Sequence, residues 1–172
     1  MVLPLLLYKN SVYAHIMAKA EQLVDLARCA EIAETCTNFS LRKVTRMIGA
    51  IYDDALRPSG LKGTQFNQLV ALALLRTATV QKLAKILVVD RTSLTRSLVP
   101  LERDGLVQSL PSVDGRERRL ALTSFGYQRL REATRLWELA QRRVAKALGP
   151  KRTRELTESL KGVAEVLGER WG

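Results

Sequence analysis

The residues best suited to chemistry lie in one segment, DRTSLTRSLVPLERDG, which begins at Asp90, the predicted N-cap of a helix. Its leucines recur at steps of four and three, the spacing of one apolar helix face: Leu94, Leu98 and Leu101. The opposite face carries hydroxyl and guanidinium groups, on Thr92, Thr95 and Arg96. Hydroxyls can bond phosphates or base edges, and arginine can bond guanine through two hydrogen bonds. The segment therefore predicts a helix, here called the reading helix, that docks in a DNA major groove.

A second basic segment, PSVDGRERR, contains the turn between two stretches that predict short strands, 106–110 and 118–122. Three arginines lie in or beside this turn: Arg116, Arg118 and Arg119. The negative potential of a DNA minor groove favours arginine, so we expect these side chains to contact DNA. Asp114 is expected to hold the shape of the turn by accepting hydrogen bonds from an arginine or from the turn backbone.

The surrounding patterns predict a mainly α-helical chain with a small β-hairpin wing. One amphipathic helix begins at Ser40, a second begins at a capping residue near Thr64, and a third is capped by Thr79. Thr123 caps a long helix that Gly149-Pro150 ends. A last helix is expected to bury four apolar side chains: Leu156, Leu160, Val163 and Leu167. Two short helices followed by a hairpin form the winged helix-turn-helix arrangement, here flanked by further helices.

The composition favours a polyanionic partner. The 172 residues include 28 Lys and Arg against 17 Asp and Glu, which gives a net charge of +11. Nine basic and two acidic residues fall within 125–154 alone. One His and two Cys argue against a metal site and a disulfide scaffold, and no apolar run approaches the ~18 residues of a membrane span. We therefore expect a cytoplasmic protein without cofactor, metal or membrane partner.

Residues 36–130 resemble the MarR family of bacterial transcription regulators. Three stretches carry the resemblance in the family's order: LRKVTRMIGAIYDDALRPSGLKGTQFNQLVAL, KLAKILVVDRTSLTRSLVPLERDGLV and DGRERRLALTSFGYQRL. The resemblance implies that the reading helix binds a major groove and the wing a minor groove. The positions that match the family's reading helix are Arg91, Thr92, Ser93, Thr95 and Arg96. Asp114 and Arg116 match its wing.

The resemblance also implies a symmetric dimer that, in most members, represses transcription until a small molecule or an oxidant arrives. We expect an N-terminal extension over 1–35, a first dimerisation helix over 36–60, the winged domain over 61–122 and further dimerisation helices over 123–172. A twofold dimer presents two reading helices to one face of a duplex. This predicts an inverted-repeat operator with half-sites about 10 bp apart.

Two groups of residues are candidates for sensing a signal. Some relatives sense oxidants with a cysteine near the start of the first helix, which makes Cys36 and Cys29 candidate redox sensors. In a helix their Cα atoms lie about 10.5 Å apart, too far for a disulfide, and the alternative is that both are small apolar residues. The family's usual effector pocket has five candidate lining residues, each of which is also an expected core residue: Ile51, Tyr52, Leu56, Phe66 and Trp137.

Two residues complicate the reading helix and the turn before it. Relatives usually have Gly or Ala in this turn, but the residue here is Val88. A β-branched residue resists the left-handed conformation, which leaves the turn geometry open. Pro100 lacks an N–H and its ring clashes with the carbonyl of Arg96, so it could kink or end the helix.

Two other classes of function are weaker interpretations. An RNA-binding or ribosome-associated basic protein is the alternative, but the three Phe form no stacking platform for single strands. An enzyme is not expected, because neither a phosphate-binding glycine loop nor a Ser or Cys paired with His stands out.

Overall fold

The computed structural model describes residues 25–111 and 118–171. The chain divides into two compact units, Met1–Met47 and Ile48–Gly172. In the first unit, helix α1 spans Leu26–Thr35 and is capped by Asp25, whose side chain accepts a hydrogen bond from the Arg28 amide. Helix α2 spans Thr37–Leu56, so the division between the two units falls inside it.

From residue 48 onward, helices alternate with three short strands. A turn of 3-10 helix, Arg57–Ser59, follows α2. The later helices are α3 (Gly63–Leu75), α4 (Val80–Leu87), α5 (Arg91–Arg103), α6 (Ser124–Leu148) and α7 (Pro150–Trp171). The strands are β1 (Thr77–Thr79), β2 (Val107–Leu110) and β3 (Arg119–Leu122). The predicted fold class, mainly helical with a small antiparallel sheet, is confirmed. None of the helices in the described ranges is long and apolar enough to cross a membrane.

The three strands form one antiparallel sheet in the order β1–β3–β2. In the central strand, Ala121 lies opposite Thr77 on one side and opposite Gln108 on the other. The sequence predicted a hairpin of two strands. This number is wrong, because β1 adds a third strand to the sheet. Its three residues, TAT, are too few to show the alternation by which a strand is recognised.

Leucines from four helices and one strand meet in a single core. The largest fully buried side chains are Leu56, Leu69, Leu72, Leu83, Leu94, Leu101 and Leu120. Burying one such side chain contributes about 1.5–3 kcal/mol. Because these leucines come from α2, α3, α4, α5 and β3, hydrophobic packing joins the reading helix to the rest of the winged region.

Three of the four predicted N-caps are confirmed. The side chains of Thr79, Asp90 and Thr123 accept hydrogen bonds from backbone amides at the starts of α4, α5 and α6. The predicted cap at Thr64 is wrong, because α3 already begins at Gly63. The Gly63 amide instead donates to Asp53 Oδ1 at 2.7 Å. Because Asp53 belongs to α2, no sequence pattern around Gly63 predicts this hydrogen bond.

The last helix is less buried than its periodicity predicted. Leu156 is half-buried, but Leu160, Val163 and Leu167 are 44%, 52% and 51% exposed. The prediction that these three are buried is wrong for the single chain, because periodicity identifies an apolar face without identifying what covers it. Exposed apolar faces of this kind often mark protein interfaces.

The start of α6 lies against the start of β2. The Thr123 amide donates to the Leu106 carbonyl at 3.1 Å, and the Thr123 hydroxyl donates to the Gly105 carbonyl at 2.6 Å. Gly126 is buried beside them, and a β-carbon at this position would overlap the Leu106 carbonyl oxygen. Only glycine therefore allows α6 to approach the wing this closely.

The turn between α4 and α5 is left-handed at Val88, with φ 52° and ψ 49°. The Val89 amide donates to Ala84 O at 3.0 Å and the Val88 amide to Lys85 O at 3.3 Å. These are the two hydrogen bonds of a Schellman motif, which usually has glycine at the left-handed position. Val88 thus adopts the conformation that its side chain resists, and it is 84% exposed, so little packing offsets the strain.

Replacing Gly126 by alanine is expected to lower the free energy of unfolding by about 1–3 kcal/mol or more, because the added methyl group must displace the Leu106 backbone. Gly162→Ala in α7 is the matched control. Apart from the nearby backbone of its own helix, no described atom lies within 4 Å of its β-carbon position, so alanine should stabilise that helix by up to about 1 kcal/mol. Urea unfolding at a fixed protomer concentration measures both. An unchanged midpoint for Gly126→Ala would contradict the close contact.

Val88→Gly is expected to raise the free energy of unfolding by about 1 kcal/mol. A non-glycine residue in the left-handed region costs about 1–2 kcal/mol, and the larger unfolded-state entropy of glycine removes part of the gain. Val89→Gly is the control, since Val89 has no positive φ and should lose stability on the same change. Thermal unfolding compares the two variants, and equal destabilisation would rule out strain at Val88.

Candidate nucleic-acid interface

Helix α5, the reading helix, is buried on one face and exposed on the other. Leu94, Leu98 and Leu101 are 1%, 2% and 1% exposed. The residues predicted to face DNA are all exposed: Arg91, Thr92, Ser93, Thr95 and Arg96. The helix continues through Pro100 to Arg103, so the proline does not end it. The predicted two-faced helix is present, with the predicted residues on each face.

Asp90 fixes the first turn of the reading helix. Its Oδ1 accepts a hydrogen bond from the Ser93 amide at 2.8 Å. Hydrogen bonds from the Ser93 side chain, and next from the Ser93 amide, lower the pKa of Asp90, because they stabilise the charged form of the carboxyl group. A carboxylate at a helix N-terminus also interacts favourably with the helix dipole.

The exposed polar groups of the reading helix differ in what they can offer a ligand. Within the described residues, the guanidinium groups of Arg91 and Arg96 have no hydrogen bond or ion pair. Thr95 Oγ1 donates to the Arg91 carbonyl at 2.8 Å, so toward a ligand this hydroxyl can only accept. Its methyl group can still make an apolar contact, for example with thymine.

A hydrogen bond behind the reading helix was missed by the sequence analysis. Gln68 Nε2 of α3 donates to Ser97 Oγ at 2.6 Å, and Ser97 Oγ donates to the Leu94 carbonyl at 2.9 Å. Gln68 is only 6% exposed. Gln68 directly precedes the apolar run LVALALL, which suggests that its amide is buried. Because a buried amide requires a partner, this position was the sequence signal for the hydrogen bond.

The base of the wing is joined to the end of the reading helix. Arg118 forms an ion pair with Glu102 through Nη2, and its Nε donates to Ser109 Oγ at 2.6 Å. The Glu102 carboxylate also accepts a hydrogen bond from Ser109. Arg118 was predicted to contact DNA from the wing, but its guanidinium is engaged within the protein. This gives it a structural role that the sequence did not predict.

The other wing residues are only partly described. Arg119 is exposed on β3, and its Nη2 lies 3.4 Å from Thr77 Oγ1. Asp114 and Arg116 lie outside the described residues, as does the turn between β2 and β3. Their predicted roles, shaping the wing and contacting DNA, stay predictions.

The two cysteines are both free thiols, Cys29 exposed in α1 and Cys36 half-buried between α1 and α2. Cys36 lines a cleft of ≈ 490 Å³ with Phe39 and Met47, and the cationic Arg42 and Arg46 also line it. Redox sensing by either thiol stays a prediction.

The residues predicted to line an effector pocket lie in or against the core. Leu56 and Phe66 are 0% and 6% exposed members of the core, and Tyr52 and Trp137 pack against it. Burial raises the pKa of the Tyr52 hydroxyl. None of these residues, nor the half-buried Ile51, lines the cleft beside Cys36 or a second cleft of ≈ 420 Å³ beside Arg57 and Arg129. The core interpretation fits Leu56 and Phe66 best.

The order of α4, α5 and the three-stranded sheet, with one face of α5 exposed, defines a winged helix-turn-helix protein. Residues 61–117 match the MarR family. Among curated protein sequences none matches the chain. Together with the solved structures described next, the match shows that the chain belongs to the MarR family, whose members are transcriptional regulators and not enzymes.

Similar solved structures include the Mycobacterium tuberculosis transcriptional regulator MosR in complex with DNA. It is 38% identical, with 77% of this chain and 98% of that chain covered and a TM-score of 0.64. Wild-type MarR of Escherichia coli, in its apo form, is 26% identical over 74% of this chain and 96% of that chain, with a TM-score of 0.64. The repressor CouR, bound to a 23-mer DNA duplex, is 22% identical with 77% and 95% covered and a TM-score of 0.71, and shares the fold.

The lowered pKa of Asp90 predicts a pH effect on the reading helix. A carboxyl group with a depressed folded pKa contributes stability above its unfolded pKa, near 3.8, and loses it as pH falls through the folded value. Asp90→Asn keeps a capping side chain without the charge. We expect the melting temperature of the wild type to be higher than that of this variant at neutral pH. This gap in melting temperature should close in acid. Thermal unfolding from about pH 7 to about pH 2 measures the gap, and a constant gap would contradict the prediction.

Proposed function

We propose that this protein is a homodimeric, sequence-specific, double-stranded DNA-binding transcriptional regulator. It acts in the cytoplasm as a repressor that a small molecule or an oxidant relieves. One observation carries the proposal: α5 exposes Arg91, Thr92 and Arg96, with both guanidinium groups unpaired among the described residues, while its leucine face is buried. DNA is present in the solved complex of MosR, which supports the same partner for this chain.

The reading helix divides its contacts by chemistry. Arg96 bonds guanine through two hydrogen bonds, and Thr92 and Thr95 contact neighbouring base edges or a thymine methyl group. Arg91 and Ser93 lie in the first turn and bind phosphate, where the helix dipole favours negative charge. Arg116 and Arg119 contact the minor groove from the wing. Phosphate contacts fix the register, and base contacts carry the sequence preference.

The dimer is supported by apolar side chains that the single chain leaves exposed. In the first unit, Phe39, Val44 and Met47 are 51%, 40% and 63% exposed. In the second, Leu160, Val163 and Leu167 of α7 are 44%, 52% and 51% exposed. We assign residues 36–60 and 123–172 to dimerisation, with 61–122 as the DNA-binding domain and 1–35 as an extension. Pairing two copies would bury both sets of apolar residues.

Selection of bound sequences from random duplex DNA is the experiment that tests the proposal. We expect an inverted repeat with half-sites about 10 bp apart, because a twofold dimer places two reading helices on one face of the duplex. A selected direct repeat or a single half-site would argue against the dimer. Enrichment of no sequence, or stronger binding of single-stranded RNA than of the duplex, would reject the proposed function.

Arg96→Ala is expected to reduce the preference for the selected operator over a scrambled duplex by about 1–3 kcal/mol, because a bidentate guanine contact is lost. Arg116→Ala should weaken both duplexes more evenly. Fluorescence anisotropy at several salt concentrations measures both, and Lys161→Ala on the exposed surface of α7 is the control. An equal, uniform loss for Arg96→Ala and Arg116→Ala would show that the two roles are wrongly assigned.

A further inference from the structure

Most of the positive charge of this protein lies away from its reading helix. Residues 125–154 hold nine basic and two acidic residues, out of a net charge of +11 for the whole chain. These residues form most of α6 and the start of α7. The proposed contacts of the reading helix and the wing use none of them.

Four of these basic residues form one line on α6. Arg131, Arg135, Arg142 and Lys146 are all exposed, and we call them the cationic stripe. At 3.6 residues per turn they fall within an arc of roughly 60° and span about 22 Å along the helix. They lie opposite Ala133, Ala140 and Val144, which α6 buries.

One acidic residue, Glu138, lies on the same face of α6 between Arg135 and Arg142, so this face carries four cations and one carboxylate. No hydrogen bond or ion pair joins its four side chains to other residues, whereas Arg129 pairs with Glu132 and Arg143 pairs with Asp54 on the sides of the same helix. These statements cover residues 25–111 and 118–171. Like charges four residues apart, as in 131 and 135 or 142 and 146, destabilise a helix by themselves. With Glu138 counted, this face keeps an excess of three positive charges, which a polyanion can neutralise.

The chemistry of the stripe selects among possible partners. A membrane-surface helix needs an apolar face beside its charges, but the apolar face of α6 is buried in the protein. Single-stranded nucleic acid needs successive aromatic side chains for stacking, whereas a single one, Tyr127, lies beside the four described stripe residues, one turn before Arg131. An interface between two copies would have to desolvate four unpaired cations. A duplex backbone requires only a row of cations, since it presents one phosphate per ~3.4 Å on each strand.

We propose that the cationic stripe of α6 binds the phosphate backbone of a second segment of duplex DNA. The segment is the flank of the operator duplex, because the reading helices already hold that duplex near the same protein. The inference rests on the proposed function, since it assumes that the reading helices hold an operator at the same time. The stripe adds affinity without sequence preference.

The test compares two variants that lose the same number of charges. The stripe variant is Arg131→Gln, Arg135→Gln, Arg142→Gln and Lys146→Gln. The control variant is Arg28→Gln, Lys62→Gln, Lys151→Gln and Lys161→Gln, all exposed residues outside the stripe. Glutamine keeps helix propensity, and circular dichroism with gel filtration checks that both variants fold as the wild type does. Three DNA samples are used: an operator-length duplex, the same operator with long flanks, and two operator-length duplexes labelled as an energy-transfer pair.

We expect both variants to bind the operator-length duplex within about twofold of each other, since neither alters the reading helix. On the long duplex, the stripe variant should bind about tenfold more weakly than the control. The slope of log affinity against log salt should fall by about 3–4, near 0.9 for each lost phosphate contact. Loss of this flank contribution alone identifies the operator flank as the second segment. Loss of energy transfer between the two labelled duplexes would instead identify a separate duplex and contradict the assignment to the flank.

Other outcomes overturn the inference. The first is equal behaviour of the two variants on long DNA together with no effect on energy transfer. The second is a loss for the stripe variant on the operator-length duplex equal to its loss on long DNA. The third is a selective loss, in the stripe variant, of binding to single-stranded RNA or to anionic vesicles. Conversion of the stripe variant alone to monomer would place the stripe in the dimer interface and overturn it as well. Failure of the proposed function is separate: the wild type would then select no sequence, while the two variants could still be compared on non-specific duplex.

Discussion

The burial of Leu94, Leu98 and Leu101 is the interaction on which the candidate interface depends. The outer face of α5 is made of short polar and basic groups, so it supplies nothing that could hold the helix to the domain. Hydrophobic burial of the inner face does this, and it also fixes which side chains point outward. A shift of one residue would turn the outer face by about 100°. The hydrogen bond from Gln68 and the ion pair from Arg118 then act on a helix whose rotation is already set.

The parts of the fold that follow from short sequence patterns are predictable from the sequence. The caps at Thr79, Asp90 and Thr123 need only one side chain and the next turn of helix, and leucines at helical spacing identify the buried face. The exposed residues of α5 follow from the same spacing. For the candidate site, this means that Thr92 and Arg96 could be placed on the outer face without coordinates.

The remaining features depend on residues that are distant in the sequence. Strand β1 is too short to recognise until β3 lies beside it, and nothing local links Gln68 to Ser97. The role of Arg118 is another example, because an arginine in a basic turn gives no sign that a glutamate of α5 will bind it. The apolar face of α7 is a different case. Its pattern is clear, but whether its cover comes from the same chain or from a second copy is not encoded in the spacing.

The ion pair between Glu102 and Arg118 ties the last turn of the reading helix to the base of the wing. This pairing restrains how far the two elements can separate. A duplex that meets both elements adjusts its groove width and curvature to fit them. The free energy of such deformation differs between base steps. Base pairs that touch no side chain would then influence which operators are accepted, through their flexibility alone.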